Sequence, residues 1–371
     1  MTEGEKTEYG LYLHIPFCRS RCHYCDFHTK AGFDSVPQEY VDALLRAFET
    51  YRPRTGRGEP LRPMTVYFGG GTPSLLSASQ VESILRQVNP MPGAEVTLEA
   101  NPAANLAGRW EGWRKAGVNR LSFGVQSASD ASLERLGRAH GAQEARLALR
   151  RAGQAGFENL SGDIMLALPE YSHGEFDQTL ELLVEGGVSH VSAYLLKVEP
   201  GTPFGKRPPE GLPGADAAAE QYLYAVERLR QAGYPRYEIS NYAKPGRESR
   251  HNLLYWDCRD YLGLGAAAHS CLFGRRFSFA EDTDAFVAGD AGVLDEGKLT
   301  GEEYLMLRLR LEEGVVEKQW EERFQMRLSM AQKEWFVRFE KEGLARKTPG
   351  GWALTSRGML VQNSLLAVLL A

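Results

Sequence analysis

Leu11-Tyr-Leu-His-Ile-Pro-Phe-Cys18-Arg-Ser-Arg-Cys22-His-Tyr-Cys25-Asp-Phe27 sets an apolar run directly against three cysteines spaced CxxxCxxC. The run reads as a strand, and the cysteine loop follows at its C-terminal end. Five cysteines in 371 residues are too few for a disulfide framework, and clustering of three of them points to metal or redox chemistry. Thiolates are soft ligands suited to iron–sulfur clusters or zinc. Ordinary ferredoxin-type clusters take four cysteines, and no fourth stands nearby. A 4Fe-4S cluster on three thiolates keeps one iron open, as a catalytic metal site keeps an exchangeable position. That iron can chelate a small molecule through an amine and a carboxylate. A Cys3His zinc site drawing on His14, His23 or His28 is the other reading of the same spacing. Cys258 and Cys271 are isolated and read as small buried hydrophobes.

Outward from this segment, apolar runs alternate with helical patterns. Six runs read as strands: Tyr9–Ile15, Met64–Phe68, Glu95–Glu99, Arg120–Val125, Leu160–Leu166 and His190–Leu196. Helices are expected over Gln38–Thr50, Ala78–Val88, Leu106–Ala116, Asp130–Ala155, Gly174–Glu185 and Ala215–Ala232, with Gly117, Gly156, Gly187 and Gly233 at their C-caps. Strands separated by helices make βαβ units and a parallel sheet. Six units suit an α/β fold of the incomplete (β/α)6 TIM-like barrel kind, with an open doubly wound sheet as the alternative. In a barrel the cysteine loop falls at the end where such folds carry chemistry.

Three domains are expected. Residues 1–233 form the core, and 234–300 a loop-rich extension of Gly, aromatic and polar residues. Residues 301–371 supply three helices (Glu302–Glu312, Glu317–Phe324, Ala331–Glu342) and a hairpin around Pro349-Gly350-Gly351, a winged-helix-like module. That module holds 11 Lys and Arg against 10 acids, and the whole chain has a net charge of −5. A nucleic-acid reader should be basic on its face, so none is expected as a partner. The terminal Leu365–Ala371 is the longest apolar stretch, far short of the ~20 residues that span a bilayer. Met1–Glu8 is polar without a signal-peptide core, so a cytoplasmic location is expected.

Polar groups gather at the predicted strand ends. Phe68-Gly69-Gly70-Gly71-Thr72-Pro73 lets the backbone approach a ligand closely. No Lys follows, so it is not a Walker loop. Glu99 ends the third strand and Gln126 the fourth, with Arg138 beyond it and Asp163 in the fifth. Together they put carboxylates, an amide and a guanidinium on one barrel mouth, groups that can hold ribose hydroxyls and an amino-acid carboxylate.

CxxxCxxC with Gly-Gly-Thr-Pro resembles the radical S-adenosylmethionine (SAM) superfamily. The strings His14-Ile-Pro-Phe-Cys18, Phe68-Gly-Gly-Gly-Thr-Pro-Ser74 and Ser122-Phe-Gly-Val-Gln126-Ser are similar to its branch of oxygen-independent coproporphyrinogen III oxidases and haem chaperones. The resemblance spans nearly the whole chain. It implies that Cys18, Cys22 and Cys25 hold a 4Fe-4S cluster and that SAM binds the open iron. Gly70, Gly71 and Thr72 then line the methionine amino group, Tyr24 lies against adenine and Tyr12 sits beside the cluster. Glu99 and Arg138 contact the methionine end, and Gln126 and Asp163 the ribose. An electron from the cluster would cleave SAM to methionine and a 5′-deoxyadenosyl radical. The cofactor does that chemistry and the protein places it.

Three features separate the two kinds of relative. Eight residues precede Tyr9, where the oxidases have a long arm, and Phe27 stands where they carry a further cysteine. His251-Asn252-Leu253-Leu254-Tyr255-Trp256 resembles the HNxxYW motif of the haem chaperones. Neutral imidazole is a common haem ligand, and Tyr255 and Trp256 offer flat apolar surface. The alternative is a His-Asn turn with two core aromatics. His269, in Gly263-Leu-Gly-Ala-Ala-Ala-His269, reads as a buried, satisfied histidine, and the GxGxxA-like glycines there lack a clear preceding strand. The resemblance therefore implies a haem chaperone delivering haem to haem proteins such as respiratory enzymes. It further implies an electron donor for the cluster, a homodimer and peripheral contact with the inner face of the membrane. No catalytic residue is assigned, and SAM cleavage stays open. An oxidase making protoporphyrinogen IX is the alternative enzyme, and a zinc-stabilised interaction protein the alternative from another class.

Overall fold

The computed structural model describes residues 8–56, 58–103 and 108–371. Its centre is a mostly parallel sheet: β1 Gly10–Ile15, β2 Thr65–Gly70, β3 Glu95–Ala100, β4 Arg120–Gln126, β5 Asn159–Leu166 and β6 His190–Leu195. These six lie side by side in chain order and pair in parallel. Both faces are covered, so the outward residues form one apolar core, with Leu11, Leu13, Val66, Phe68, Val96, Leu98, Leu121 and Phe123 at 3% exposure or less.

Helices α1 Gln38–Tyr51, α2 Ala78–Val88 and α3 Trp110–Ala116 cover the first half of the sheet. Apolar residues three and four apart seat them, as Tyr40, Val41, Leu44 and Phe48 do in α1. Ser77 caps α2 in a reciprocal box with Gln80. The first residues of the helix expected from Leu106 lie outside the described residues. The helix expected over Asp130–Ala155 is two: α4 Asp130–Arg135 and α5 Ala142–Gln154. Gly137, at φ +70°, turns the chain between them, and a Cβ there would sit 2.9 Å from the His23 ring. α6 His173–Glu185 and α7 Ala215–Gln231 complete the ring.

The stretch from 234 to 300 holds more regular structure than its composition suggests. β7 Asn241–Ala243 closes one edge antiparallel to β6. The short helix α8 Arg250–Trp256 leads to β8 Tyr261–Leu264, a seventh parallel strand lying against the free edge of β1. β9 His269–Leu272, β10 Arg275–Phe279 and β11 Val293–Lys298 extend that edge antiparallel, with α9 Thr283–Ala288 before the last. Among the described residues the sheet has 11 strands and is open, an incomplete TIM-like barrel. A strand does coincide with the GxGxxA-like glycines, and they serve packing: a Cβ on Gly265 (φ +115°) would meet the His14 carbonyl at 2.8 Å. His269 is exposed rather than buried, its Nδ1 2.7 Å from Glu296. Cys258 and Cys271 are buried, as read.

The C-terminal part has its own core. α10 Gly301–Arg308, α11 Glu317–Phe324 and α12 Met330–Lys341 pack with β12 Val315–Val316 and the hairpin β13 Ala345–Thr348 and β14 Gly351–Leu354. The Phe336 and Trp352 rings stack at 5.2 Å. Two helices not read from the sequence, α13 Ser356–Leu360 and α14 Gln362–Leu369, follow the wing. Among the described residues no helix is long and apolar enough to cross a membrane.

Candidate functional site

β1 delivers the cysteine loop to the C-terminal end of the barrel. Phe17–Cys18 pairs briefly with Lys30–Ala31, which folds the loop back on itself. The break between α4 and α5 then docks against it. The His23 amide donates to the Leu136 carbonyl at 3.0 Å, and the His23 ring to the Arg135 carbonyl at 2.8 Å. The same break aims Arg138 inward. Its Nη2 donates to the Gly124 carbonyl at 2.7 Å and its Nη1 reaches Cys22 Sγ at 3.4 Å.

Cys18, Cys22 and Cys25 are half-buried and open on one cavity of about 420 Å³. Tyr24, Gly70, Gly71, Thr72, Glu99, Gln126, Arg138 and Asp163 all line it. Tyr12 lies one layer deeper, its hydroxyl donating to His14 Nδ1 at 3.0 Å. Burial pushes the Cys18 thiol up, and the Thr72 hydroxyl, 3.3 Å from its sulfur, pulls the other way. A Cβ on Gly71 would come 3.0 Å from that sulfur, so the glycine turn and the thiol share one surface.

None of the three candidate histidines joins the cysteines. His14 Nε2 bonds the His28 carbonyl at 2.9 Å, and burial lowers its pKa to about 4. His28 turns to Thr283 Oγ1 at 2.9 Å, while His23 is held by the Arg135 carbonyl. The zinc reading therefore has no fourth ligand among its candidates.

The carboxylates lie deep in the barrel. Burial raises Glu99 to about 7, with Asp163 adding to the rise and the Tyr67 hydroxyl opposing it. Glu99 Oε1 accepts from Tyr67 at 2.8 Å and Oε2 from the Gly70 amide at 3.2 Å. Burial likewise raises Asp163 to about 6, against hydroxyl bonds from Ser192 and Ser122. Two buried polar atoms on the wall, Gln126 Oε1 and Arg138 Nε, have no protein partner. Gln126 also holds φ +70°, a strained conformation for a side chain with a Cβ. Three thiolates with donors at two sulfurs, a close-approach glycine turn and orphaned polar groups fit a cluster and a bound hydroxyl- and carboxylate-bearing nucleoside.

The HNxxYW residues lie at the opposite end of the barrel. His251 is fully buried, with Nδ1 2.7 Å from Thr65 Oγ1 and Nε2 2.7 Å from the Tyr255 hydroxyl. Burial drives its pKa to about 3, so the ring is neutral. Tyr255 and Trp256 are half-buried, and Arg310 lies over Trp256 at 5.3 Å. Sequence reasoning missed Tyr67, Ser122 and Ser192, which hold the carboxylates. The signal was available in the strand alternation that puts Tyr67 and Gly69 on one face.

A barrel of this topology with three thiols and these strand-end groups at its mouth defines a radical SAM protein. The family model described as the Radical SAM superfamily matches residues 12–183, and that of the HemN C-terminal domain matches 300–361. Heme chaperone HemW of Escherichia coli is 42% identical over 70% of this chain and 69% of its own. Heme chaperone HemW of Haemophilus influenzae is 34% identical over 97% of both. The coproporphyrinogen III oxidase (HemN) structure from Escherichia coli shares the fold at 19% identity, with a TM-score of 0.80 over 99% of this chain and 91% of that one. The chain belongs to the heme chaperone HemW family of the radical SAM superfamily, whose membership implies a 4Fe-4S cluster and SAM.

Proposed function

We propose that this protein is a haem chaperone: it takes up haem and hands it to recipient haem proteins while carrying the cluster and SAM. The observation that supports this over the oxidase is the 34% identity to a heme chaperone across 97% of both chains, against 19% for the oxidase structure. Cys18, Cys22 and Cys25 hold the cluster, which supplies one-electron chemistry when bound. Arg138 and Thr72 place donors at the sulfurs, Gly70–Thr72 admit the amino-acid end of SAM, and Gln126 and Asp163 take its hydroxyls. Tyr24, beside Arg138, walls the base.

His251 is the residue proposed to ligate haem, with Tyr255 and Trp256 against the porphyrin. Its neutrality supports the role, since an axial ligand must be unprotonated. Ligation requires that one ring nitrogen first leave its partner, Thr65 or the Tyr255 hydroxyl, and that the fully buried ring be uncovered. The test is haem titration of the anaerobically reconstituted protein, followed by transfer to an apo haem protein. Saturable haem uptake and transfer are expected. Conversion of coproporphyrinogen III to the divinyl product, or no haem uptake, overturns the proposal.

A further inference from the structure

The two ends of the barrel are joined through its interior. α8 stands across the N-terminal end, gripped at both its termini. Glu95 accepts the backbone amides of Arg250 and His251 at 3.1 and 3.0 Å. At the other terminus Arg308 binds the Asp257 carboxylate, and Arg323 donates to the Asp257 carbonyl at 2.6 Å. Both arginines belong to the C-terminal helices. From the first turn of α8 the His251 imidazole enters a niche floored by Gly10, where a Cβ would meet Nδ1 at 3.2 Å.

The imidazole lies on the Tyr67 ring, with centroids 5.0 Å apart and planes 26° from parallel. Tyr67 is held in turn to Glu99, and Glu99 to the Gly70 amide. The next residues fix the cysteine loop: the Gly71 amide donates to the Ile15 carbonyl at 2.8 Å and the Thr72 amide to the Phe17 carbonyl at 2.9 Å. Each link is a direct contact between two groups with little freedom, so moving the first displaces the support of the last.

We propose that His251 is a positioning residue for the SAM pocket, acting through Tyr67 and Glu99 on the Gly70–Thr72 rim. The linkage makes the seating of this imidazole and the binding of SAM mutually supportive. Resting on the proposed function, it follows that haem and SAM oppose one another, because haem ligation must draw the ring out of its niche. Linkage is reciprocal: whatever factor SAM imposes on haem affinity, haem imposes on SAM affinity.

The test measures SAM affinity by equilibrium dialysis on the anaerobically reconstituted full chain, with cluster content checked by iron and sulfide. His251→Ala is expected to weaken SAM by about tenfold, within the range of measured couplings. Tyr67→Phe, which keeps the ring but frees Glu99, should weaken it similarly. The double variant should be no worse than Tyr67→Phe alone. His251→Phe, which restores a ring on Tyr67, should recover affinity to within about threefold of the parent. Additive losses, or a cluster-replete His251→Ala protein with parental SAM affinity, overturn the proposal. Should His251→Ala not fold, Thr65→Val decides: removing the anchor of the ring should weaken SAM two- to threefold, and no change overturns the linkage. Haem affinity with and without saturating SAM separates the two readings. Failure to bind haem overturns only the chaperone proposal. Haem affinity at His251 that ignores SAM overturns the linkage and leaves the chaperone standing.

Discussion

The two ends of this barrel hold similar residue types in opposite states. At the mouth, Gln126 Oε1 and Arg138 Nε are buried without partners, and Gln126 sits at a strained backbone angle. At the base, both ring nitrogens of His251, both oxygens of Glu95 and the Thr65 hydroxyl are engaged by neighbours. A buried polar group without a partner costs about 1–3 kcal/mol, so the mouth is built around something the chain does not supply. The His251 niche at the base is satisfied as it stands, while Trp256 Nε1 beside it is buried without a protein partner. Any ligand that claims His251 must first displace contacts worth about 1 kcal/mol each.

That contrast can be broken most severely at the thiols. Cys22→Ala should abolish cluster assembly, read as iron and acid-labile sulfide falling to background; retained cluster would show that Cys22 is dispensable. At the base, Arg308→Ala leaves Asp257 and Glu313 without their buried guanidinium. Both carboxylates keep access to water, so the cost is that of two lost charge-assisted bonds, about 3 kcal/mol, read as a lowered denaturant midpoint. A smaller effect comes from acidity at the mouth. Glu99 has a folded pKa of about 7, above its unfolded value of 4.5. The folded state therefore binds more protons, and stability falls as pH rises through that window. Before cofactor loading Glu99 alone should contribute a loss of about 2–3 kcal/mol between pH 4 and 8, and Glu99→Gln should remove that share while the share of Asp163 remains. Because the buried His14 and His251 titrate with the opposite sign, the deciding comparison is parent against variant: an unchanged profile in Glu99→Gln would refute the shifted carboxyl. The mildest change is Gln126→Ala, expected to weaken SAM about tenfold (about 1.4 kcal/mol) with stability unchanged; an unaltered SAM affinity removes Gln126 from the site.

The mouth was legible in the sequence and the base was not. Parallel strands buried on both faces read as apolar runs, so β1 to β6 emerge within a residue or two of their expected limits. The groups that end those strands are local in sequence, as are the three thiols. The break at Leu136–Gly141 was hidden because Leu133, Leu136 and His140 stand three and four apart as on a helix face, leaving Gly137 and Gly141 as the punctuation. β11 reads Val-Leu-Asp-Glu-Gly-Lys and is largely exposed, so it offers no apolar alternation to detect. His251 could be singled out as a motif, but its stacking on Tyr67 spans 184 positions and has no local signature.

The place of β8 bears on how the molecule is made. β1, which carries the cysteine loop, is the tenth residue onward of the chain, yet its second neighbour is Tyr261–Leu264. While the chain emerges from the ribosome, that flank of β1 offers bare amides and carbonyls until some 250 further residues have appeared. Such distant pairing is slow. The strand from which the thiols hang therefore completes its pairing only after Tyr261–Leu264 has been made.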